Sequence, residues 1–290
     1  MTDAERLMAP LIPAISAAPY AIAPERAEEL NDDVFGGVPW DLFFTAGPAN
    51  FFARPQAKEL EARFAAVLSL WAASRAALQL GEAMMRATRA KEPSVEVVPD
   101  GPVDEAFRLV EVAKTLIRSP SAAWPADLPA PPPRSSWGGH DWHVQQLFLG
   151  ATAWALHHEI AHVHLRHEEV TIDAVRRQQE HEADVWATRW ILARAGTGRK
   201  REFRAYSAAT GLAWLGLIDD VRRGSTTHPH AAQRLGACAE SFGLGARSPA
   251  LELAAYTLKA FFNPTEAVPA TDTPAEAFED ALFRYARQPR

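Results

Sequence analysis

Cysteine is almost absent from this chain. The single one, Cys238, excludes an internal disulfide and any cysteine-based zinc cluster. It suits a reducing cytoplasm, and its expected place is that of a small core residue. An excess of basic charge is missing too. The formal net charge is −6, which argues against nucleic acid as the main partner, because phosphate binding needs a basic face. Local basic clusters such as Arg199-Lys200-Arg201 read as solvated helix ends. No run of about 18 consecutive apolar residues occurs, so no membrane span is expected. The N-terminus also lacks the basic start and unbroken apolar stretch of a signal peptide. Asp3 and Glu5 open it, and Pro10 and Pro13 interrupt it. The expected compartment is therefore the cytoplasm.

What is present fits a globular protein: 290 residues, 48% hydrophobic and 23% charged, enough for one large domain or two small ones. Residues 1–56, rich in proline, glycine and aromatics, read as an irregular packed arm. Within it VPWDLFF and NFFARP are short strands or packed loops. Residues 57–118 read as a helical subdomain. A helix is expected from Lys58 to about Ala90, with Leu60, Phe64, Val67, Leu68 and Trp71 on one face. A short strand (SVEVVP, 94–99) and a second helix ending near Pro120 follow. Residues 119–139 contain six prolines and cannot hold a regular element; they form a connecting loop or a lid. From 140 to 290 the pattern is helical, with long helices expected at about 141–165 and 173–195. The Thr273-Pro274-Ala275-Glu276 start marks the last helix. The fold class is thus mainly α, with room for a small sheet in the N-terminal half.

Residues 154–169, WALHHEIAHVHLRHEE, hold five of the ten histidines. Among them is His158-Glu159-Ile160-Ala161-His162, an H-E-x-x-H pattern on a predicted helix. Residues four apart share a face, so both imidazoles reach one ion. Glu159 sits about 100° further round, where it can take a proton from a metal-bound water instead of ligating. The bland alternative is a helix of satisfied histidines, which is the reading for His157, His164 and His167; His140 and His143 read as cap and surface residues. An open zinc site needs a third protein ligand. Glu180, His181 and Glu182 on the next helix compete for it. Glu180 shares a face with Asp184, four residues on, whereas Glu182 lies about 200° away. Asp184 can accept the spare N–H of a ligand histidine. The short connector predicts that the two helices lie antiparallel. Glu159-x-x-His162 is the only E-x-x-H here, which argues for one ion and against a di-iron bundle.

The H-E-I-A-H stretch followed by Glu180-x-x-x-Asp184-x-x-Ala187 resembles the gluzincin metallopeptidases, in which the Glu of that second motif is the third zinc ligand. Thr227-His228-Pro229 to Arg234 resembles a segment that follows in related peptidases. Many of those relatives are integral membrane proteases. The chain is more similar to the Lit-type phage-exclusion peptidases over roughly residues 137–240, with ImmA-like repressor-cleaving peptidases ranked below because they usually carry Asn at the position of Asp184. The resemblance implies a zincin-like core and one Zn2+ held by His158, His162 and Glu180. It also implies Glu159 as general base and Asp184 as support, acting on an intracellular protein or peptide substrate, with an activating partner left open. For oxyanion stabilisation the candidates are His228, on the matching segment, then Tyr206, His230 and Arg234. The competing expectations are a non-proteolytic regulatory or toxin-partner protein on the same scaffold, and a metal-free helical domain.

Overall fold

The prolines of the first segment do not make it irregular. In the computed structural model, which describes residues 1–92, 94–168, 172–222, 230–266 and 271–287, the chain opens with α1 (Asp3–Met8) under a Thr2–Glu5 capping box. It continues through a 3-10 turn into α2 (Ile12–Ala21). Ala4, Met8, Leu11, Ile15, Ala18 and Ile22 are all buried. Their spacing is that of a helix, and it was there to be read. Pro10 and Pro13 hide it, yet they stand at first turns, where a missing N–H costs nothing. α3 (Ala27–Glu29) runs on into a π-helical turn at Leu30–Val34.

Three strands follow: β1 (Asp41–Thr45), β2 (Phe51–Arg54) and β3 (Glu59–Arg63), in the spatial order β1-β3-β2. β3 pairs parallel with β1 and antiparallel with β2. The two aromatic stretches are thus strands, as the sequence allowed. The expected helix start at Lys58 is corrected: Glu59–Arg63 is the central strand, and α4 (Phe64–Ala90) begins after it. ELEAR is a good helix former, but pairing on both sides satisfies its backbone in the sheet and overrides that preference. The buried Glu61 is held there by Arg54 and Arg63. No strand forms among the described residues of 94–99.

α4 is alanine-rich and buried along most of its length. It is the one helix among the described residues long and apolar enough to cross a membrane, a property that counting consecutive apolar residues missed, but 83% of its apolar window is buried inside the protein. α5 (Pro102–Arg118) packs against it. The proline-rich stretch after α5 has no helix or strand, as expected. Trp124 ties it to Trp71 of α4 and, through its backbone N–H, to Asp3 of α1.

α6 (His140–His164) is the central helix, in contact with α2, α4 and β2 and with two helices that follow it, α7 (Asp173–Leu192) and α8 (Arg199–Arg222). α9 (Ala231–Ala239), α10 (Pro249–Phe262) and α11 (Pro274–Ala286) complete the chain. Thr273 caps α11 as its sequence predicts. Gly211 on α8 lets α6 come close: a Cβ there would stand 2.8 Å from the Trp154 ring. Cys238 is fully buried, and the fold is mainly helical with a small sheet in its first half.

Candidate active site

One face of α6 carries Trp154, His158 and His162 at four-residue spacing. Their partners on α7 come in reverse order. Trp154 Nε1 donates to Thr188 Oγ1 at 3.0 Å, His158 Nδ1 lies 2.9 Å from Asp184 Oδ1, and His162 Nε2 lies 3.7 Å from Glu180 Oε1. His158 Nε2 is 3.4 Å from Glu180 Oε2 and 3.1 Å from His162 Nε2. The donor atoms of His158, His162 and Glu180 therefore form a triangle, the one such cluster among the described residues. A tetrahedral zinc with ligand distances of about 2.0–2.1 Å separates its ligand atoms by about 3.3–3.4 Å. The two histidine nitrogens are 3.1 Å apart, and the nearest Glu180 oxygens, a different one for each ring, stand 3.4 Å from His158 and 3.7 Å from His162, close to that value.

Charge supports the same reading. Burial by itself would lower the His158 pKa, but the carboxylates of Asp184 and Glu180 outweigh it and raise it to about 10. His162 moves the other way, to about 3, because it is buried and faces the positive His158. Without metal the two rings titrate as a coupled pair, and the carboxylates beside His158 favour one extra proton on that pair. A divalent cation would take the place of that proton. Asp184 is completely buried and sits between His158 and a fork from Arg234, whose Nε and Nη2 donate to it at 2.7 and 2.8 Å. The same guanidinium lies 3.4 Å from Glu180.

The triangle opens into a cleft of about 200 Å³. Phe51 and Phe52 of β2 form one wall, and Trp214, Ile218 and Arg222 of α8 form another. Glu159 lines this cleft beside the histidines. Burial raises its pKa to about 7, against the pull of His158 and of the Ala53 amide of β2. β2 is an edge strand, paired only with β3 among the described residues.

The other sequence candidates separate. Arg234 lies in the site, gripping Asp184. Tyr206 does not line the cleft. It is buried against α10, its hydroxyl 3.2 Å from Thr257 Oγ1, more than two turns before Trp214 on α8. His230 is the N-cap of α9: its Nδ1 accepts from the Ala232 amide at 3.1 Å, and its ring packs on Tyr285. Thr227, His228 and Pro229 lie outside the described residues. His140 and His143 do not line the cleft, and neither does any residue of 119–139, so the lid reading of that loop finds no support in its placement. His157 is in the core and His181 is exposed. His167, grouped from sequence with the satisfied histidines, sits instead between His162 and Glu182, which is itself exposed. No motif announces that connection, since His167 lies beyond the helix that carries the spacing.

The peptidase U49 family model matches residues 61–254. That span runs from the central strand into α10 and takes in α6, α7 and the α8 wall of the cleft, but not the β2 wall. The chain is also similar to the cell death peptidase of Escherichia coli (strain K12), 28% identical over 236 residues, which cover 78% of each chain. No solved structure matches it.

Proposed function

The chain belongs to the peptidase U49 family and is a peptidase, and on that premise we propose that it is a zinc-dependent endopeptidase of the gluzincin type, built on a zincin-like core with α6 and α7 as an antiparallel pair of active-site helices. The observation that carries this reading is the meeting of the two histidine nitrogens, 3.1 Å apart, with the Glu180 carboxylate, one donor atom from each residue lying within 4.8 Å of the others. When bound, zinc at these residues would lower the pKa of a water toward about 7 and polarise a peptide carbonyl.

The protein side chains supply the rest. The Asp184 carboxylate, 2.9 Å from Nδ1 of His158, favours a hydrogen on that nitrogen and so keeps Nε2 free to ligate. Arg234 locks Asp184 in place and keeps that buried carboxylate charged. Glu159, beside the ligands, takes the proton of the attacking water and returns it to the leaving amine nitrogen. Burial holds its pKa at about 7, and a cation bound beside it would lower that value, toward the ionised form that accepts the proton. Apart from the Ala53 amide, which faces Glu159, the edge of β2 that is not paired with β3 offers main-chain groups to an extended peptide, while Trp214 and Ile218 offer an apolar seat for a substrate side chain. His228 remains the first candidate for oxyanion stabilisation, on the strength of its T-H-P motif alone. The substrate we infer is an intracellular protein, cut in phage exclusion; the Escherichia coli relative is itself named a cell death peptidase.

The test is elemental analysis after a zinc soak and desalting, on wild type, Glu159→Gln, Glu180→Ala and Glu182→Ala, beside cleavage of an unfolded protein. About one zinc per chain is expected in all but Glu180→Ala, with cleavage lost in Glu159→Gln. A wild-type protein that cleaves while holding no metal would overturn the zinc mechanism.

A further inference from the structure

The end of α6 does something that the ligand motif does not require. Leu165 closes the helix, Arg166 turns into the left-handed region at φ 56°, and the chain folds back. The His167 amide donates to His162 O at 2.9 Å and the Arg166 amide donates to Val163 O at 3.0 Å. This is the Schellman arrangement, in which the residue after the left-handed one is set against the side chain five positions earlier. That contact is commonly apolar. Here it is His167 on His162, with ring centroids 5.0 Å apart and the two Nδ1 atoms 2.9 Å apart. The His167 side chain is only 8% exposed. Its other nitrogen, Nε2, lies 3.1 Å from Glu182 Oε2, and Gln178, one turn earlier on α7, donates to the second oxygen of Glu182 at 2.9 Å.

We propose that His167 and Glu182 form a positioning relay that fixes the tautomer and ring angle of His162 for metal binding. This rests on the zinc reading above. The hydrogen bonds allow one arrangement. A neutral imidazole that ligates through Nε2 carries its hydrogen on Nδ1. His162 Nδ1–H must then donate to His167 Nδ1, which must be bare. The hydrogen of His167 is thereby placed on Nε2, where it donates to the Glu182 carboxylate. Each link determines the next, and the chain ends on a charge that favours this order. The two ligand histidines are thus oriented by different means. His158 is held by a buried carboxylate directly, and His162 is held by a carboxylate on the exposed side of α7, acting through an intervening ring. Glu180 faces one nitrogen of His162 directly, and Glu182, on the opposite side of α7, acts on the other through His167.

The experiment is zinc affinity of the full chain, measured by chelator competition. The controls are wild type, which should bind zinc, and His158→Ala, which should not. Against them, His167→Ala should weaken zinc about 10–100-fold. His167→Asn, whose side-chain carbonyl can stand where Nδ1 stood, should recover most of that loss, which a merely structural role would not explain. Glu182→Ala should weaken zinc when His167 is present and add nothing in the His167→Ala background. Unchanged affinity in His167→Ala, or independent losses in the double variant, overturns the relay while leaving the zinc site standing. A wild type that binds no zinc overturns the zinc reading, and the relay with it. Should His167→Ala fail to fold, nitrogen NMR of zinc-loaded wild type decides. A hydrogen on His167 Nε2 with Nδ1 bare is expected, and the opposite tautomer overturns the proposal.

Discussion

His157 and His158 are neighbours on α6, both buried, and their environments push them in opposite directions. His157 faces the core. Its Nε2 donates to the Pro19 carbonyl at 3.0 Å, the rings of Trp186 and Trp190 flank it, and burial lowers its pKa to about 4. His158 faces α7, where burial pulls the same way but Asp184 and Glu180 outweigh it. Burial therefore does not distinguish a core histidine from a candidate ligand. The carboxylates opposite do. One side of the helix docks it against α2, and the other brings together the donors of the candidate metal site.

The most drastic way to test that contrast is to remove one member from each side. His158→Ala or Glu180→Ala should abolish zinc binding and all cleavage, whereas His157→Gln, which keeps a donor for Pro19, should leave zinc stoichiometry unchanged; elemental analysis reads both. Next in size is Glu159→Gln, expected to lower the cleavage rate by about 10²–10⁴-fold with zinc retained, as measured by the initial rate on a protein substrate.

The core side makes its own prediction about acid. A histidine whose folded pKa lies below its unfolded value of about 6.5 binds its proton more readily in the unfolded chain. Its contribution to stability is full above pH 6.5 and is lost as the pH falls toward 4. The shift corresponds to about 3 kcal/mol. Urea unfolding between these two pH values should show that loss in wild type and a reduced one in His157→Gln. The smallest effect is expected from Thr188→Val. It leaves the Trp154 N–H without its buried acceptor, which should cost about 1–3 kcal/mol of stability, seen as a lower Tm, with the zinc triangle intact.

The legible parts share a feature: each is settled within a few turns of one helix. The H-E-x-x-H face, the Glu180–Asp184 spacing and the Thr273 cap follow from helical periodicity, and the structure places these residues as that periodicity requires. Glu59–Arg63 reads as helix because its local preference is helical, whereas its strand state depends on partners 5 to 18 residues away. Tyr206 and His230 were chosen for chemical type, and the helices that carry them turn those types elsewhere. The α1–α2 stripe was in the residues all along and was obscured by prolines.

The amino-acid sequence by itself determined a helical chain with two histidines and a carboxylate able to meet at one point, since i to i+4 geometry is a property of the backbone alone. Only the tertiary structure decided which carboxylates face which nitrogen, that Arg234 clamps Asp184, that β2 borders the cleft, and that His167 turns back onto His162. Those outcomes depend on how α6, α7, α9 and β2 pack. The packing energy that sets their positions is spread over the whole core, and no single motif carries it.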